Sequence, residues 1–549
     1  MLDRSAAANA WDMDAGRTDY EVIIVGAGVS GIYQLYRLRE IGIRSTVLET
    51  GGDVGGTWYW NRYPGARFDS ESVSYAYSFS EELLAEWDWR ERFAAQPETE
   101  RYLRHVVDKF DLRKHMQFNC TVTRAFYDEE TGTWTVGLAD GRALTTKLLI
   151  TGIGPLSAPT LPRYPGMESF RGMSFHTSNW PADPVDLRGK RVAVIGTGAT
   201  GVQVISEIAD KVGDLTVFQR RPNWCAPLHN APITQEEMQQ LKASYAAIFE
   251  TCKNTPSGFL HATDCRKTFE VPREERIAFW EKLYNSPGFG IWLGNFSDVL
   301  TDEEANAALT EFVAGKIRQR VRDPATAEKL IPKDHGFGTR RVPMETRYYE
   351  VYNRDNVKLV DVSQEPIQHV DERGIQTSAR CYEFDIIIYA TGFDAITGAF
   401  DRIDFAGKNG RRLRDKWAEG PRTMLGVMTA GFPNLFTVAG PQSGSVLTNF
   451  PRGIEEVVEW CTGLVSYMKD RGYRSVEPKQ DAEDEWVVHV QEMADRVLLS
   501  KQRSWFTGYN SNIDHGDKKR HLTYTGGAIR YRERLRQQVE TGYSGFTFL

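Results

Sequence analysis

Two glycine fingerprints constrain this chain more than any other feature. Gly26, Gly28 and Gly31 stand at G-x-G-x-x-G spacing, and Gly196, Gly198 and Gly201 repeat it 170 residues later. Each copy follows a short apolar, β-branched run, Glu21 to Val25 and Val192 to Ile195, of the kind that forms a strand buried on both faces. Each is followed by apolar residues at helical period and then by a second strand, Ile43 to Glu49 and Asp214 to Arg221. That is a β-α-β unit, in which glycines let backbone N–H groups and a helix N-terminus approach a pyrophosphate. The chain therefore reads as α/β with two Rossmann-like dinucleotide-binding domains.

The residue that ends each second strand separates the two ligands. Glu49 is placed to accept from ribose hydroxyls, which suits FAD or NAD and repels a 2′-phosphate. Arg220 and Arg221 end the other strand and attract a 2′-phosphate, so the second site reads as one for NADP, with Gly196, Thr197, Gly198, Thr200 and Gly201 at its turn. Arg221 reads equally well as a solvated surface residue.

Between 230 and 335 the texture changes to charged stretches with apolar residues three to four apart, which predicts a helical insertion in the NADP-binding domain. The expected organisation is a flexible extension over 1–18, an FAD-binding domain over 19–155 and 386–549, and an NADP-binding domain over 156–385. With 67 basic and 74 acidic residues the net charge is −7, which leaves no electrostatic footprint for nucleic acid. No run approaches the ~18 apolar residues of a membrane span. The six cysteines are too far apart for CxxC redox chemistry or zinc binding, so no metal is expected, and their scarcity fits a reducing, cytoplasmic setting. The first eighteen residues lack the apolar core of a signal peptide. A monomer or weak homo-oligomer is expected.

The segment Gly55 to Ser72 (GGTWYWNRYPGARFDSES) is too rich in Trp, Tyr, Gly and Pro for a routine loop. It follows the ribose-binding strand end, where the chain passes over a flavin. Asp69 is its candidate acid, although an Asp after a Pro-Gly turn also serves as a cap. No G-x-S-x-G elbow for a Ser-His-Asp hydrolase occurs.

Just before the second fingerprint stands FRGMSFHTSNWP, with Phe170, Gly172, His176, Trp180 and Pro181 in an FxGxxxHxxxWP pattern. It resembles the signature of the type I Baeyer–Villiger monooxygenases. Gly56-Thr57-Trp58 with Asp69, the ATGFD run and the GFPNLF segment resemble further stretches of that family. The resemblance implies an FAD- and NADPH-dependent enzyme that takes a ketone and O2 through a C4a-peroxyflavin and a Criegee intermediate to an ester or lactone. It implies that Gly56, Thr57 and Trp58 contact FAD, that Arg341 is the catalytic arginine with Asp69 as its partner, and that Arg340 helps bind the 2′-phosphate. Local sequence alone reads Arg340-Arg341 as a surface pair. His176 and Trp180 read as linker residues that couple domain movement to turnover, and Trp505 as either a cofactor contact or a core tryptophan. Heteroatom oxygenation, a flavin disulfide reductase and a non-catalytic flavoprotein are the competing classes. Cyclic, aromatic, steroidal and long-chain ketones all remain open.

Overall fold

A computed structural model describes residues 18–510 and 519–549. Most of the expected N-terminal extension lies outside the described residues. Its last residue, Thr18, is buried and its carbonyl accepts from Arg44 Nη2 at 3.0 Å, so Thr18 belongs with the folded domain and not with a flexible extension.

The first fingerprint lies in an eight-stranded sheet. Tyr20–Val25 is central, with Ser45–Leu48 parallel on one side and Ala143–Thr151 parallel on the other. Val22, Ile23 and Ile24 are fully buried, as a strand covered on both faces requires. Ala143–Thr151 serves two purposes along its length. Its more accessible start closes an antiparallel meander with Thr133–Leu138, and its buried end pairs in parallel with Leu435–Thr437.

The second fingerprint lies in a five-stranded, wholly parallel sheet. Its order is Val357–Asp361, Asp214–Gln219, Arg191–Ile195, Ile386–Tyr389, Met173–His176. The expected boundary at 386 is therefore misplaced. Ile386–Tyr389 pairs with Arg191–Ile195 and with Met173–His176, so it belongs inside the NADP-side sheet. The chain crosses between the two sheets through a two-stranded ribbon. Ile396 N donates to Pro155 O and Asp394 N to Ala158 O, both at 2.7 Å, and Thr160 N to Gly392 O at 3.0 Å.

From Gln235 to Leu330 the chain forms helices and 3-10 turns without a named strand, closed at its ends by the parallel pair Ala226–Pro227 and Met344–Glu345. Glu303–Arg320 shows why such a stretch is helical. Asp302 caps Ala305 N at 2.9 Å, acids fill the first turn and arginines the last, matching the helix dipole. The insertion is not the property of one domain. Met238 and Tyr245 join the apolar core around the first sheet, whereas Trp280, Tyr284, Leu309 and Ile317 join that around the second.

Candidate functional site

Both fingerprint turns are built for an anion. The helices Val29–Glu40 and Ala199–Ile208 begin at Gly28 and Gly198 with no side-chain cap and no acid in the first turn, so their leading N–H groups stay available to a ligand. A Cβ on Gly31 or Gly201 would meet the carbonyl of Gly26 at 1.8 Å or Gly196 at 2.2 Å, which is the close helix–strand approach these glycines permit. A Cβ on Gly198 would meet nothing within 4 Å, so packing does not demand that glycine and the space beside it suits a phosphate group.

Glu49 follows the strand Ser45–Leu48 and is buried. Its carboxylate accepts from Ala27 N and Gly51 N, each at 2.7 Å. Burial pushes its pKa up against those two donors and the Trp60 indole. This fixes an acceptor within the first glycine turn, as a nucleotide ribose requires. Gly56 stands at φ +53°, backbone to backbone with Gly28, and opens the short helix Thr57–Trp60. The structure separates the tryptophans of TWYW. Trp58 turns its ring into the core and donates Nε1 to Tyr75 Oη at 2.9 Å, whereas Trp60 reaches Glu49. The Trp58 ring is thus committed to the core, and the indole that flanks Glu49 is one the sequence reading overlooked.

At the second fingerprint, Thr197 Oγ1 donates to the Arg221 carbonyl at 2.9 Å, which ties the glycine turn to the arginine strand end. Thr200 contacts Tyr63, whose hydroxyl donates to Gln203 at 2.8 Å, and Gln203 donates to the Arg67 carbonyl at 3.0 Å. The helix after the second fingerprint therefore leans on the segment that carries Asp69. Arg220 and Arg221 crowd each other, and burial together with this crowding pulls the Arg220 pKa down. Arg340 Nη2 lies 3.0 Å from Asp334 Oδ2, and Asp334 Oδ1 lies 2.7 Å from His335 Nδ1. The His335 contact holds the Asp334 carboxyl far below its usual range. His335 also feels Arg221, so both basic segments meet at one place. Tyr509, which sequence reasoning missed, lies 5.7 Å beneath Arg221, at the end of the segment that holds Trp505. Trp505 itself is partly buried against the small cluster of Ala395, Ile396, Val446 and Leu522.

The structure brings Arg341 and Asp69 together from 272 positions apart, with Arg341 Nη2 2.7 Å from Asp69 Oδ2. That oxygen also accepts from Met344 N at 3.2 Å. Asp69 Oδ1 is buried with no hydrogen-bond partner among the described residues. Burial pushes the Asp69 carboxyl up, and the Arg341 guanidinium is the chief force against that rise. Arg341 keeps 30% of its side chain exposed while its carboxylate partner keeps 4%. A charge held by a buried counterion and open on its other side is a preorganised partner for a developing anion.

His176 ends the edge strand of the NADP-side sheet. Its Nδ1 accepts from Ser178 N at 3.1 Å, and its ring stands edge-on to Phe393 at 5.8 Å, in the ribbon that joins the domains. Trp180 is buried and packs on Phe175 at 4.6 Å. Burial pulls the His176 pKa down to about 4, with the Gly392 backbone opposing, so the ring is neutral at neutral pH. Between about pH 6.5 and 4 the unfolded chain takes up a proton here that the folded one refuses. Stability is thus fully present above 6.5 and falls as the pH drops, by at most ~3 kcal/mol from this group. His176→Gln is expected to flatten the acid side of a thermal-stability profile, and an unchanged acid slope would refute the assignment.

The flavin-binding monooxygenase-like family pattern matches residues 19–229. A 2-oxo-Δ3-4,5,5-trimethylcyclopentenylacetyl-CoA monooxygenase of Pseudomonas putida is 48% identical over 96% of this chain and 98% of its own length. A Baeyer–Villiger monooxygenase of Pseudooceanicola batsensis is 41% identical over 96% of both chains. A crystal structure of OTEMO in complex with FAD and NADP superposes with a TM-score of 0.94 at 47% identity, over 97% of this chain and 100% of that one. With identity of this order along nearly the whole length, and two dinucleotide folds in the same order, the chain belongs to the Baeyer–Villiger monooxygenases.

Proposed function

We infer that the protein is an FAD-dependent monooxygenase that uses NADPH and O2 to insert one oxygen atom beside the carbonyl of a cyclic ketone, giving a lactone. The observation that carries this reading is the Arg341–Asp69 pair, its carboxylate buried and its guanidinium partly open, beside the helix that follows the second fingerprint. The cyclic-ketone class is supported by the relative from Pseudomonas putida, whose name describes a cyclopentenyl ketone.

When bound, FAD reduced by NADPH supplies the activation of O2. The chain supplies the rest. The N–H groups after Gly28 and Gly198 hold the two pyrophosphates and Glu49 takes the FAD ribose, while Arg220 and Arg340 take the 2′-phosphate. Arg341 stabilises negative charge on the former carbonyl oxygen, and its guanidinium does not lose its proton at working pH. Asp69 orients that guanidinium. His176 and Trp180 seat the NADP-side sheet on the connecting ribbon and let it shift between hydride transfer and oxygenation. The six cysteines are all free, which accords with a cytoplasmic enzyme and supplies no disulfide for reductase chemistry. A monomer or weak homo-oligomer completes the reading.

NADPH consumption with cyclopentanone, cyclohexanone, acetone and a thioether, with products identified by mass, tests it. Lactones from the cyclic ketones are expected. Sulfoxide without lactone would replace this reading with heteroatom oxygenation.

A further inference from the structure

The helical insertion contributes a wall to the site that the family signatures do not mark. Its segment Gly288 to Trp292 lies against Arg341 and, through His261, beside Glu71, two residues from Asp69. The Arg341 guanidinium carbon stands 5.2 Å from the Phe289 ring centre and 5.6 Å from that of Trp292, both within cation–π range. Two further contacts hold this segment in place. Trp292 Nε1 donates to the Gly338 carbonyl at 3.2 Å, in the loop that leads to Arg341. Gly338 stands at φ +79°, and a Cβ there would lie 2.9 Å from the indole, so the loop and the ring approach as closely as a glycine allows. On the other side, Phe289 N donates to His261 Nε2 at 3.2 Å, and that nitrogen lies 2.8 Å from Glu71 Oε1, two residues from Asp69.

We propose that Trp292 is a positioning residue for Arg341, its indole face holding the guanidinium in line with Asp69. The proposal rests on the reading of Arg341 as the residue that stabilises the oxyanion. The physical argument is one of freedom. An arginine side chain has several rotatable bonds, and a single carboxylate partner fixes its distance but not its plane. One hydrogen bond to Asp69 and one from Nη1 to the Val342 carbonyl at 2.7 Å leave the guanidinium free to tip toward solvent on its exposed side. Aromatic faces remove that freedom, and they keep water from competing for the same N–H groups. Trp offers the largest such face and binds a cation better than Phe or Tyr.

The test compares Trp292→Leu with Trp292→Phe in the FAD-loaded protein, with two readouts. The first is ester formed per NADPH oxidised at saturating ketone. Trp292→Leu is expected to lower this ratio roughly tenfold, about 1.4 kcal/mol, with bound FAD retained and the NADPH KM within about twofold of the parent. Trp292→Phe keeps an aromatic face and is expected to recover the ratio to within about threefold. The second readout is thermal unfolding of Trp292→Leu, Arg341→Ala and their double variant. Because both substitutions remove one shared contact, the double variant is expected to lose about 1 °C less than the sum of the single losses. A parental ester ratio in Trp292→Leu, a Phe variant no better than Leu, or additive losses in Tm would each overturn the proposal. If Arg341→Ala still makes ester at the parental rate, the reading of Arg341 fails instead, while additivity in Tm still decides whether Trp292 holds it.

Discussion

Arg341→Ala is expected to bind FAD and oxidise NADPH while its rate of ester formation falls at least ~100-fold, the scale on which removing one preorganised charge partner acts. The two activities separate because hydride transfer to the flavin leaves no charge on the ketone, whereas attack on the ketone does. Arg341 is suited to the second step because its counterion is buried and its own outer side is open, 4% against 30% exposed. NADPH oxidised without ester should emerge as hydrogen peroxide, measured alongside product by mass. Arg341→Lys tests geometry apart from charge. An ammonium on a flexible stem cannot bridge Asp69 and the Val342 carbonyl as the guanidinium does, so partial recovery of ester formation is expected. The Ala variant should also be less stable by about 1–3 kcal/mol, below the cost for a fully buried pair because Arg341 is partly solvated. Asp69 then loses the chief force that keeps its carboxyl ionised, and its pKa rises further. In the parent the same physics sets an acid limit. As the pH falls through the raised pKa of Asp69 the pair is lost, so the ester-per-NADPH ratio should decline on the acid side at a higher pH than a solvent-exposed aspartate would set. Asp69→Asn should lower that ratio at every pH and abolish the acid limb. Ester formation by Arg341→Ala at near the parental rate would remove both residues from the mechanism.

What the sequence disclosed depended on the range of the interaction. Each fingerprint is a local strand–turn–helix, so Gly26 to Gly31 and Gly196 to Gly201 were legible from spacing, and so were the strand ends at Glu49 and Arg220. The run Ile386 to Tyr389 was equally legible as a buried strand. Its sheet was not, because apolar residues covered on both faces pair with any neighbour of the same kind, and only the assembled register sets them beside Arg191–Ile195. The insertion shows the same limit. Gln235–Ala243 and Arg273–Tyr284 are both charged, helix-forming stretches, yet Met238 faces one core and Trp280 the other. Within TWYW the sequence names two tryptophans but not their directions. One turn of helix sends Trp58 inward to Tyr75 and leaves Trp60 beside Glu49. Asp69 and Arg341 carried no local mark of partnership, since their contact spans 272 positions, and the family resemblance alone pointed to it. Phe289 and Trp292 sit in GFGIWLGNF, whose glycines and aromatics set it apart from the charged helices around it. That signal was present, and it lacked a partner until the fold placed Arg341 against it.

Replacing Arg340 or Arg220 by alanine is expected to raise the NADPH KM about ten- to a hundredfold while changing that for NADH little, because a hydrogen bond to a charged group contributes roughly 1.5–3 kcal/mol. His335 and Arg340 engage the two oxygens of Asp334, Arg221 acts on His335, and Arg220 stands beside Arg221, so the basic groups form one chain of neighbours. NADH lacks the 2′-phosphate that such a cluster recognises, so it has nothing to lose there. The two substitutions differ in one respect. Removing Arg340 also frees an Asp334 oxygen, which adds repulsion between that carboxylate and the phosphate, so Arg340→Ala should be the more damaging. Arg340→Lys keeps the charge and loses the planar fork, and should fall between Arg340 and alanine. Asp334→Asn separates the two contributions. In the Arg340→Ala background it should recover part of the lost NADPH affinity, because the freed acid is gone. Salt supplies an independent check, since attraction between a phosphate and partly exposed arginines is screened over about 10 Å at 0.1 M. The NADPH KM of the parent should therefore climb with ionic strength faster than the NADH KM, and more steeply than in Arg340→Ala. Equal use of NADPH and NADH by the parent, with parallel salt dependence, would show that the arginine cluster does not read the 2′-phosphate.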